Sequence, residues 1–172
     1  MRTRLATAFA ALLALMAGGH AAVSADITPA GLWQAVDSDT KQPTAWFVIS
    51  DHGGHYTGTI AKMFLKPGED PNVVCDQCKD DRHNHPWLGL DIVRGMKADG
   101  DKYDGGTILD PRDGKVYDAE MTLSPDGQML TVRGYLGISL LGRNVYWTRL
   151  PDSDYQQVDP AILNQTGGPS LR

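Results

Sequence analysis

The residues best suited to chemistry are two cysteines and two histidines that lie close together in the sequence. Cys75 and Cys78 are spaced as C-x-x-C, and His83 and His85 follow them. Thiolate sulfur and imidazole nitrogen are ligands that zinc prefers, so these four side chains form a candidate zinc or copper site. Their spacing is tighter than in usual zinc fingers, however. A local disulfide beside two surface histidines is the favoured interpretation, and no metal or cofactor is predicted.

A redox-active thiol pair is another interpretation of the C-x-x-C. Thioredoxin-like chemistry places such a pair at a strand-to-helix turn, where the helix terminus favours the thiolate. Here the turn-forming residues 67–71 precede the pair and Lys79-Asp80-Asp81 follow it. The segment is therefore predicted to be a loop whose carboxylates disfavour a thiolate. A structural disulfide between Cys75 and Cys78 is expected instead.

Other catalytic patterns are weaker. The segment Gly137-Ile138-Ser139 lacks the second glycine of a nucleophile elbow, and it does not lie between a predicted strand and a helix. His52 and His55 flank a predicted hairpin turn, where exposed histidines are common. Asp118 and Glu120 alternate with apolar residues, so they are expected to solvate the outer face of a strand rather than form a glycosidase pair. An enzyme is the less favoured interpretation.

The composition and the first residues indicate an exported acidic protein. The chain has 172 residues and a formal net charge of −5, which disfavours nucleic acid as a partner because phosphates require a clustered basic surface. Arg2 and Arg4 precede an apolar stretch over residues 5–16, and small residues lead to Ala25. This pattern predicts a secretory signal peptide over residues 1–25 and a periplasmic or secreted location.

Turn-forming residues recur along the remaining chain and separate segments in which apolar and polar side chains alternate. Asp-Gly and Pro-Asp-Gly sequences supply the positive φ and the bend that hairpins require. Between two such turns, Tyr117, Ala119, Met121 and Leu123 lie on one face of a predicted strand. The predicted strands are residues 31–36, 45–50, 55–64, 91–97, 101–109, 115–123, 128–136 and 142–149.

This order of elements predicts an all-β fold. About eight strands with short connections favour an antiparallel up-and-down β-barrel over residues 26–150, because closure removes the exposed edges of the sheet. Residues 151–172 are polar and contain Gly167-Gly168-Pro169. They are predicted to be a flexible C-terminal tail with one helical turn near residues 161–164.

Three segments of the chain carry a family likeness. They are Pro67-Gly68-Glu69-Asp70-Pro71-Asn72 before Cys75-x-x-Cys78; Ile108-Leu109-Asp110-Pro111 with Gly114-Lys115-x-Tyr117; and Arg133-Gly134-Tyr135-x-Gly137-x-Ser139-Leu140-Leu141-Gly142-Arg143 with Trp147-x-Arg149. Together they resemble the exported bacterial family called domain of unknown function 2147, over about residues 31–149. The resemblance implies a compact lipocalin-like barrel and carries over no catalytic residues. His83-Asn84-His85 departs from the family, which more often has Lys and acidic residues there.

A second likeness lies at the start of the predicted barrel. Gly31-Leu32-Trp33 resembles the G-x-W motif of lipocalins, in which the Trp plugs the closed end of the barrel and an Arg from the last strand covers its indole. The resemblance implies that Arg149 covers Trp33 here, in a cation–π contact worth about 1 kcal/mol. An ordinary core tryptophan is the alternative.

The barrel and the two resemblances together favour a binding protein. An eight-stranded barrel can hold one small ligand when some inward positions are small or mobile, and the alternative is a barrel filled by its own side chains. We expect a lipid or another small apolar or amphipathic ligand. The candidate ligand-binding residues are Trp33, Tyr117, Met121, Leu123, Leu130, Val132, Tyr135, Leu136 and Arg149.

Two alternatives remain. The first is an interaction or structural module of the cell envelope, with a filled core and with contacts made by loops 65–86 and 136–142. The apolar run at residues 136–141 would then contact a membrane surface or a partner. The second is a metal- or thiol-dependent protein centred on the loop that contains Cys75 and Cys78.

Overall fold

The structure is a computed structural model that describes residues 27–168, and the predicted signal peptide lies outside the described residues. Consecutive strands pair antiparallel, and the last strand pairs with the first to close one barrel. The strands are β1 (Gly31–Val36), β2 (Pro43–Asp51), β3 (His55–Met63), β4 (Asp91–Asp99), β5 (Lys102–Asp110), β6 (Lys115–Leu123), β7 (Met129–Tyr135) and β8 (Arg143–Arg149). The predicted all-β, up-and-down antiparallel barrel is confirmed.

Turn chemistry explains why the strand boundaries agree closely with those expected from the sequence. Asp99 at the end of β4 pairs with Lys102 at the start of β5. Gly100 in the turn between them has a φ of 62°, in the left-handed region that favours glycine. Such tight turns fix the register of neighbouring strands, and the register determines which side chains face the interior.

The barrel interior is packed with side chains along most of its length. Met121, Leu130 and Val132, three of the predicted inward residues, are fully buried at 0 % exposure. The rings of Phe47 and Trp147 stack with their centroids 4.2 Å apart. A void wide enough for water would give accessible surface to the side chains around it, and these three residues have none. This part of the barrel is therefore a filled core.

The C-terminal segment covers part of the outer face of the barrel. It forms a 3-10 helix (Asp152–Gln157) and α1 (Pro160–Thr166). Both helices contribute to a second apolar cluster, whose buried members are Leu32, Trp46, Val48, Ala61, Tyr155, Val158, Ile162 and Leu163. A flexible tail with one helical turn was the expectation here. The segment packs instead because outward positions of β1, β2 and β3 are also apolar and require a cover. No helix within residues 27–168 is long and apolar enough to span a bilayer.

Residues 64–90, the disulfide loop, connect β3 to β4 and pack against the turn between β5 and β6. Cys75 and Cys78 form the predicted disulfide, and both side chains are buried. The Sγ of Cys75 lies 3.6 Å from the carbonyl oxygen of Pro111 in that turn. The loop is therefore docked onto the barrel wall.

Gly114→Ala is expected to lower the free energy of unfolding by about 3 kcal/mol. The methyl group would occupy a position with a φ of 68° and would overlap the backbone carbonyl of Gln77 in the disulfide loop. Gly100→Ala is the matched control: its φ is also positive, but its Cβ would have no neighbour within 4 Å. It should lower stability by only about 1 kcal/mol. Urea denaturation compares the two variants, and equal losses would contradict tight packing of the loop at Gly114.

Candidate functional site

The two ends of the barrel differ, and each predicted ligand-binding residue belongs to one of them. In a closed antiparallel sheet, every second connection lies at the same end. The sealed end consists of the turns that follow β2, β4 and β6 together with residues 27–30. The mouth consists of the turns that follow β1, β5 and β7 together with the disulfide loop.

At the sealed end, Arg149 holds the N-terminal segment beside Trp33. The guanidinium carbon lies 4.3 Å from the centroid of the Trp33 ring. Its Nε, Nη1 and Nη2 atoms donate hydrogen bonds to the carbonyls of Gly127, Ala30 and Thr28 at 2.6, 2.8 and 2.6 Å. Burial lowers the pKa of the Arg149 guanidinium, which still carries its charge at neutral pH. This is the arrangement that the G-x-W resemblance implies. The hydrogen-bond donors of Arg149 are used by backbone carbonyls of the protein itself.

At the mouth, the inward-facing side chains are apolar and only partly buried. Ile108 lies opposite Tyr117 across β5 and β6, and Val145 lies opposite the buried Val132 across β7 and β8. Directly opposed residues on antiparallel strands point to the same face of the sheet. Ile108 and Tyr117 are half-buried, and Val145 is 46 % exposed. The packed interior therefore ends in a shallow apolar mouth.

The inward face of β8 changes character towards the mouth. Trp147 is buried, Val145 is partly exposed, and Arg143 at the rim is exposed. Arg143 lies opposite Gly134, which has no side chain to cover it. Arg143 forms no ion pair within residues 27–168. From the core to the rim, this face therefore presents an aromatic side chain, then an aliphatic one, and then a positively charged one.

Residues 136–142, the apolar loop, present exposed apolar side chains beside the mouth. Leu136, Ile138, Leu140 and Leu141 are 67, 58, 84 and 76 % exposed. Arg133 braces the loop by donating from Nε to the Ser139 carbonyl at 2.8 Å and from Nη2 to the Leu140 carbonyl at 3.2 Å. The Ser139 hydroxyl donates to Glu120 at 3.0 Å. Exposed apolar patches of this kind mark interaction surfaces.

The structure distributes the predicted ligand-binding residues over several environments. Trp33, Met121, Leu130 and Val132 belong to the packed core, with Leu123 half-buried against it at the sealed end. Arg149 seals that end. At the other end, Tyr117 faces the mouth, and Leu136 is exposed beyond the end of β7. Tyr135 lies opposite the exposed Asp118, so its side chain belongs to the outer face of the barrel. The sequence pattern did not bring these residues to one place.

Sequence reasoning missed three residues at the mouth: Ile108, Arg143 and Val145. The last predicted strand carries a signal for two of them, since Arg143, Val145 and Trp147 alternate along it. Alternation indicates the face on which a side chain lies. It does not indicate where along the strand burial ends, which depends on the neighbouring strand.

The residues of the candidate metal or thiol site have structural roles or are exposed. Cys75 and Cys78 are joined and buried, so their thiolates are not available as ligands. His83 and His85 are exposed, and Nδ1 of His83 lies 2.9 Å from the carbonyl oxygen of Cys78. Within residues 27–168, no three His, Cys, Asp or Glu side chains are grouped as metal ligands.

A buried arginine ties the disulfide loop to the barrel. Arg82 is 3 % exposed, and its Nε donates to both carboxylate oxygens of Asp80 at 3.1 Å. Its Nη1 donates to the carbonyl of Asp91, the first residue of β4, at 3.0 Å. The hydrogen bonds from Arg82 lower the pKa of Asp80 to about 2. The carboxylate therefore remains charged and compensates the buried guanidinium.

Two concavities open at the sealed end of the barrel. Their volumes are about 250 and 300 Å³, and Ser50 and Tyr155 line the larger one. None of the mouth residues Ile108, Tyr117, Arg143 or Val145 lines either of them.

Comparison with known proteins identifies the family. The model of a family described as an uncharacterized protein conserved in bacteria, DUF2147, matches residues 31–149. The chain belongs to this family. Among solved structures it is similar to protein HP1028 from Helicobacter pylori, described as belonging to the lipocalin family, with a TM-score of 0.64 and 16 % identity over 81 % of this chain and 97 % of that chain. This likeness shows the fold alone. No curated protein matches the chain.

Replacing Arg149 by Met in this DUF2147 protein is expected to lower the free energy of unfolding by about 3 kcal/mol. Three carbonyls would lose their donors, and the Trp33 ring would lose its covering cation. Arg112→Met is the control, because Arg112 is exposed and its ion pair with Asp110 contributes less than about 1 kcal/mol. Chemical denaturation measures both. Equal losses would show that Arg149 does not hold the sealed end.

The Asp80–Arg82 pair predicts a pH dependence of stability. Hydrogen bonds from Arg82 lower the pKa of Asp80 to about 2 in the folded protein, against about 3.9 in the unfolded chain. The contribution of the ionised Asp80 to the free energy of unfolding is therefore complete above the unfolded pKa, and it is lost as the pH falls through the folded pKa. Thermal unfolding between neutral pH and about pH 2 should show that Asp80→Asn is less stable at neutral pH and loses less stability in acid than the wild type. Parallel pH profiles would contradict the role of the pair.

Proposed function

We propose that this protein binds a small amphipathic molecule with an anionic head group at the mouth of its barrel, in the periplasm or outside the cell. The inward face of β8 carries the proposal, since it passes from the buried Trp147 through Val145 to the exposed Arg143. A fatty-acid-like molecule has the same order of properties, with its tail on the apolar wall and its carboxylate at the cation. The predicted signal peptide supports the location.

The neighbouring wall of the mouth, formed by β5 and β6, also offers apolar surface to a ligand tail. Ile108 and Tyr117 lie opposite each other and are half-buried, so they offer apolar surface on the side formed by β5 and β6. Each methylene group removed from water contributes about 0.8 kcal/mol. About four methylenes in contact with this shallow surface contribute about 3 kcal/mol, and one charge-assisted contact at Arg143 contributes about 2 kcal/mol. The sum of about 5 kcal/mol corresponds to a dissociation constant of about 200 μM.

The packed interior favours binding at the mouth over binding in the centre of the barrel. Met121, Leu130 and Val132 are fully buried, so a ligand among them would have to displace side chains from a close-packed core. Such overpacking costs typically about 1–3 kcal/mol for even a few added methylenes. The lipocalin-like fold is compatible with either position, and the burial of these residues favours the mouth.

The second candidate function is an interaction module of the cell envelope. The apolar loop favours it, because four apolar side chains are exposed on a backbone that Arg133 braces. In this case the filled barrel is a scaffold, and the contacts are made by loops 65–86 and 136–142 with a membrane surface or a partner protein.

Isothermal titration calorimetry of the purified protein with dodecanoate tests the first candidate. We expect a dissociation constant of about 200 μM and much weaker binding of dodecyltrimethylammonium, which has the same chain and the opposite charge. Val145→Asp should weaken dodecanoate binding by about tenfold or more, because it places a carboxylate on the apolar wall. Arg143→Gln should remove the preference for the anionic amphiphile.

Val116→Asp is the matched control for Val145→Asp. Val116 is 40 % exposed and lies opposite Leu109, on the outer face of the barrel. The Val116→Asp variant should bind dodecanoate as the wild-type protein does. If the wild-type protein binds neither amphiphile, or if both aspartate variants bind as the wild type does, the mouth is not a ligand site and the interaction module becomes the better account.

A further inference from the structure

The apolar loop beside the mouth carries the most exposed large apolar side chains of residues 27–168. Leu140 and Leu141 are 84 and 76 % exposed, and Leu136 and Ile138 are 67 and 58 % exposed. Water around such side chains is unfavourable, so an exposed apolar patch marks a contact with a protein or with a membrane. The hydrogen bonds of the loop distinguish between these two partners.

The backbone of the apolar loop forms several of its own hydrogen bonds. The amide of Ile138 donates to the carbonyl of Leu136 at 3.0 Å. In the 3-10 turn that follows, the amide of Leu141 donates to the carbonyl of Ile138 at 3.3 Å. The amide of Gly142 donates to the carbonyl of Ser139 at 2.9 Å. These three carbonyls therefore need no partner from outside the protein.

Arg133 on β7 adds hydrogen bonds to the same loop from its side chain. Its Nη2 donates to the carbonyl of Leu140, which pairs a fourth carbonyl of the loop. Its Nη1 donates to the side chain of Asn144 at 2.6 Å, and its Nε lies 4.0 Å from the carboxylate of Glu120, which compensates its charge. The loop therefore presents exposed apolar side chains on a backbone whose carbonyls are largely paired.

This combination favours a lipid bilayer over a protein surface. The hydrocarbon region of a bilayer offers no hydrogen-bond partners, so backbone groups that enter it must be paired internally. A protein partner imposes no such requirement, because it supplies hydrogen bonds of its own. A stable protein–protein interface also involves about 20–30 residues on each side, whereas the apolar loop offers four apolar side chains.

The residues next to the loop suit the head-group region of a bilayer. Arg143 follows the loop directly and is exposed. Tyr146, on the outer face of β8, is 56 % exposed. Arginine binds phosphate groups, and tyrosine rings are enriched where hydrocarbon meets water. Zwitterionic lipids also carry a phosphate, so this contact does not require an anionic membrane. The formal net charge of −5 gives the chain no general attraction to one.

We propose that the apolar loop inserts into the surface of a lipid bilayer, with its four apolar side chains among the acyl chains and Arg143 at the phosphates. The mouth of the barrel then faces the membrane, since the loop is one of the turns at that end. This inference rests on the second candidate function and deepens it by naming a bilayer as the partner. The contact is weak and reversible, because it buries no more apolar surface than a single acyl chain does.

Flotation of the purified protein with vesicles tests the insertion. The probes are phosphatidylcholine vesicles and vesicles that also contain about 30 % phosphatidylglycerol. We expect half of the protein to float at about 1 mM accessible lipid, which is about tenfold weaker than the binding of a myristoyl chain. The two kinds of vesicle should agree within about threefold, and about 0.5 M NaCl should change the binding by less than about twofold, because the contact is mainly apolar.

A pair of double substitutions locates the contact. Leu140→Asp combined with Leu141→Asp should weaken vesicle binding by about tenfold or more, since carboxylates are excluded from hydrocarbon. The matched control is Ile27→Asp combined with Met129→Asp, which adds the same charge at the sealed end, at residues that are 58 and 47 % exposed. The control should float as the wild-type protein does. Thermal unfolding checks that both double variants remain folded.

A fluorescent label reports whether the loop enters the hydrocarbon. The chain has two cysteines, and both belong to the disulfide. Leu140→Cys therefore provides a single thiol for the environment-sensitive dye NBD. Its emission should shift to shorter wavelength when vesicles are added, and lipids with a spin label in the acyl chain should quench it. The same dye at Met129→Cys should show neither change.

Four results would overturn the proposal. The first is wild-type protein that floats with neither kind of vesicle. The second is flotation that requires phosphatidylglycerol and is lost in salt, which would indicate adsorption by charge. The third is equal flotation of the two double variants. The fourth is a wild-type dimer without flotation that the loop substitutions dissociate, which would assign the loop to a second copy of the chain and keep the interaction module. The dodecanoate titration uses no vesicles, so the amphiphile site and the bilayer contact fail independently.

Discussion

An open sheet of eight strands would leave rows of unpaired N–H and C=O groups along its first and last strands. Here β1 and β8 remove those edges by pairing with each other, but only at Trp33–Arg149, Gln34–Thr148 and Ala35–Trp147. This short seam lies towards the sealed end. Arg149 reinforces it by binding the carbonyls of the N-terminal segment and of the turn after β6. Towards the mouth, residues 143–146 of β8 have no β1 partner.

The position of this seam accounts for the difference between the two ends of the barrel. Where β1 and β8 pair, the interior is closed and filled, and Trp33 is fully buried. Beyond the seam, Val145 and Arg143 keep exposed surface although they continue the inward face of β8. The same strand therefore contributes to a solid core at one end and to an apolar surface with a cation at the other. A ligand at the mouth requires no opening of the core.

Two segments outside the barrel wall complete the structure by covering apolar surface that the strands leave outside. The disulfide loop packs on the turn between β5 and β6, and the C-terminal helices pack on outward residues of β1, β2 and β3. These additions create new surfaces where they meet the barrel. The larger concavity at the sealed end is one of them, since residues 166–168 and the end of β2 both line it.

Local sequence determined the strands, their order and the disulfide. Alternation with a period of two, Asp-Gly turns and the C-x-x-C spacing are all local features, and short connections make antiparallel neighbours the simplest pairing. The tertiary structure alone decided how far burial extends along each strand. Met121 and Tyr117 share one face of β6, yet the first is fully buried and the second lies at the mouth. The tertiary structure also decided that residues 152–166 pack over the apolar outer face of β1, β2 and β3. Both depend on contacts between segments distant in the sequence, which a local pattern does not record.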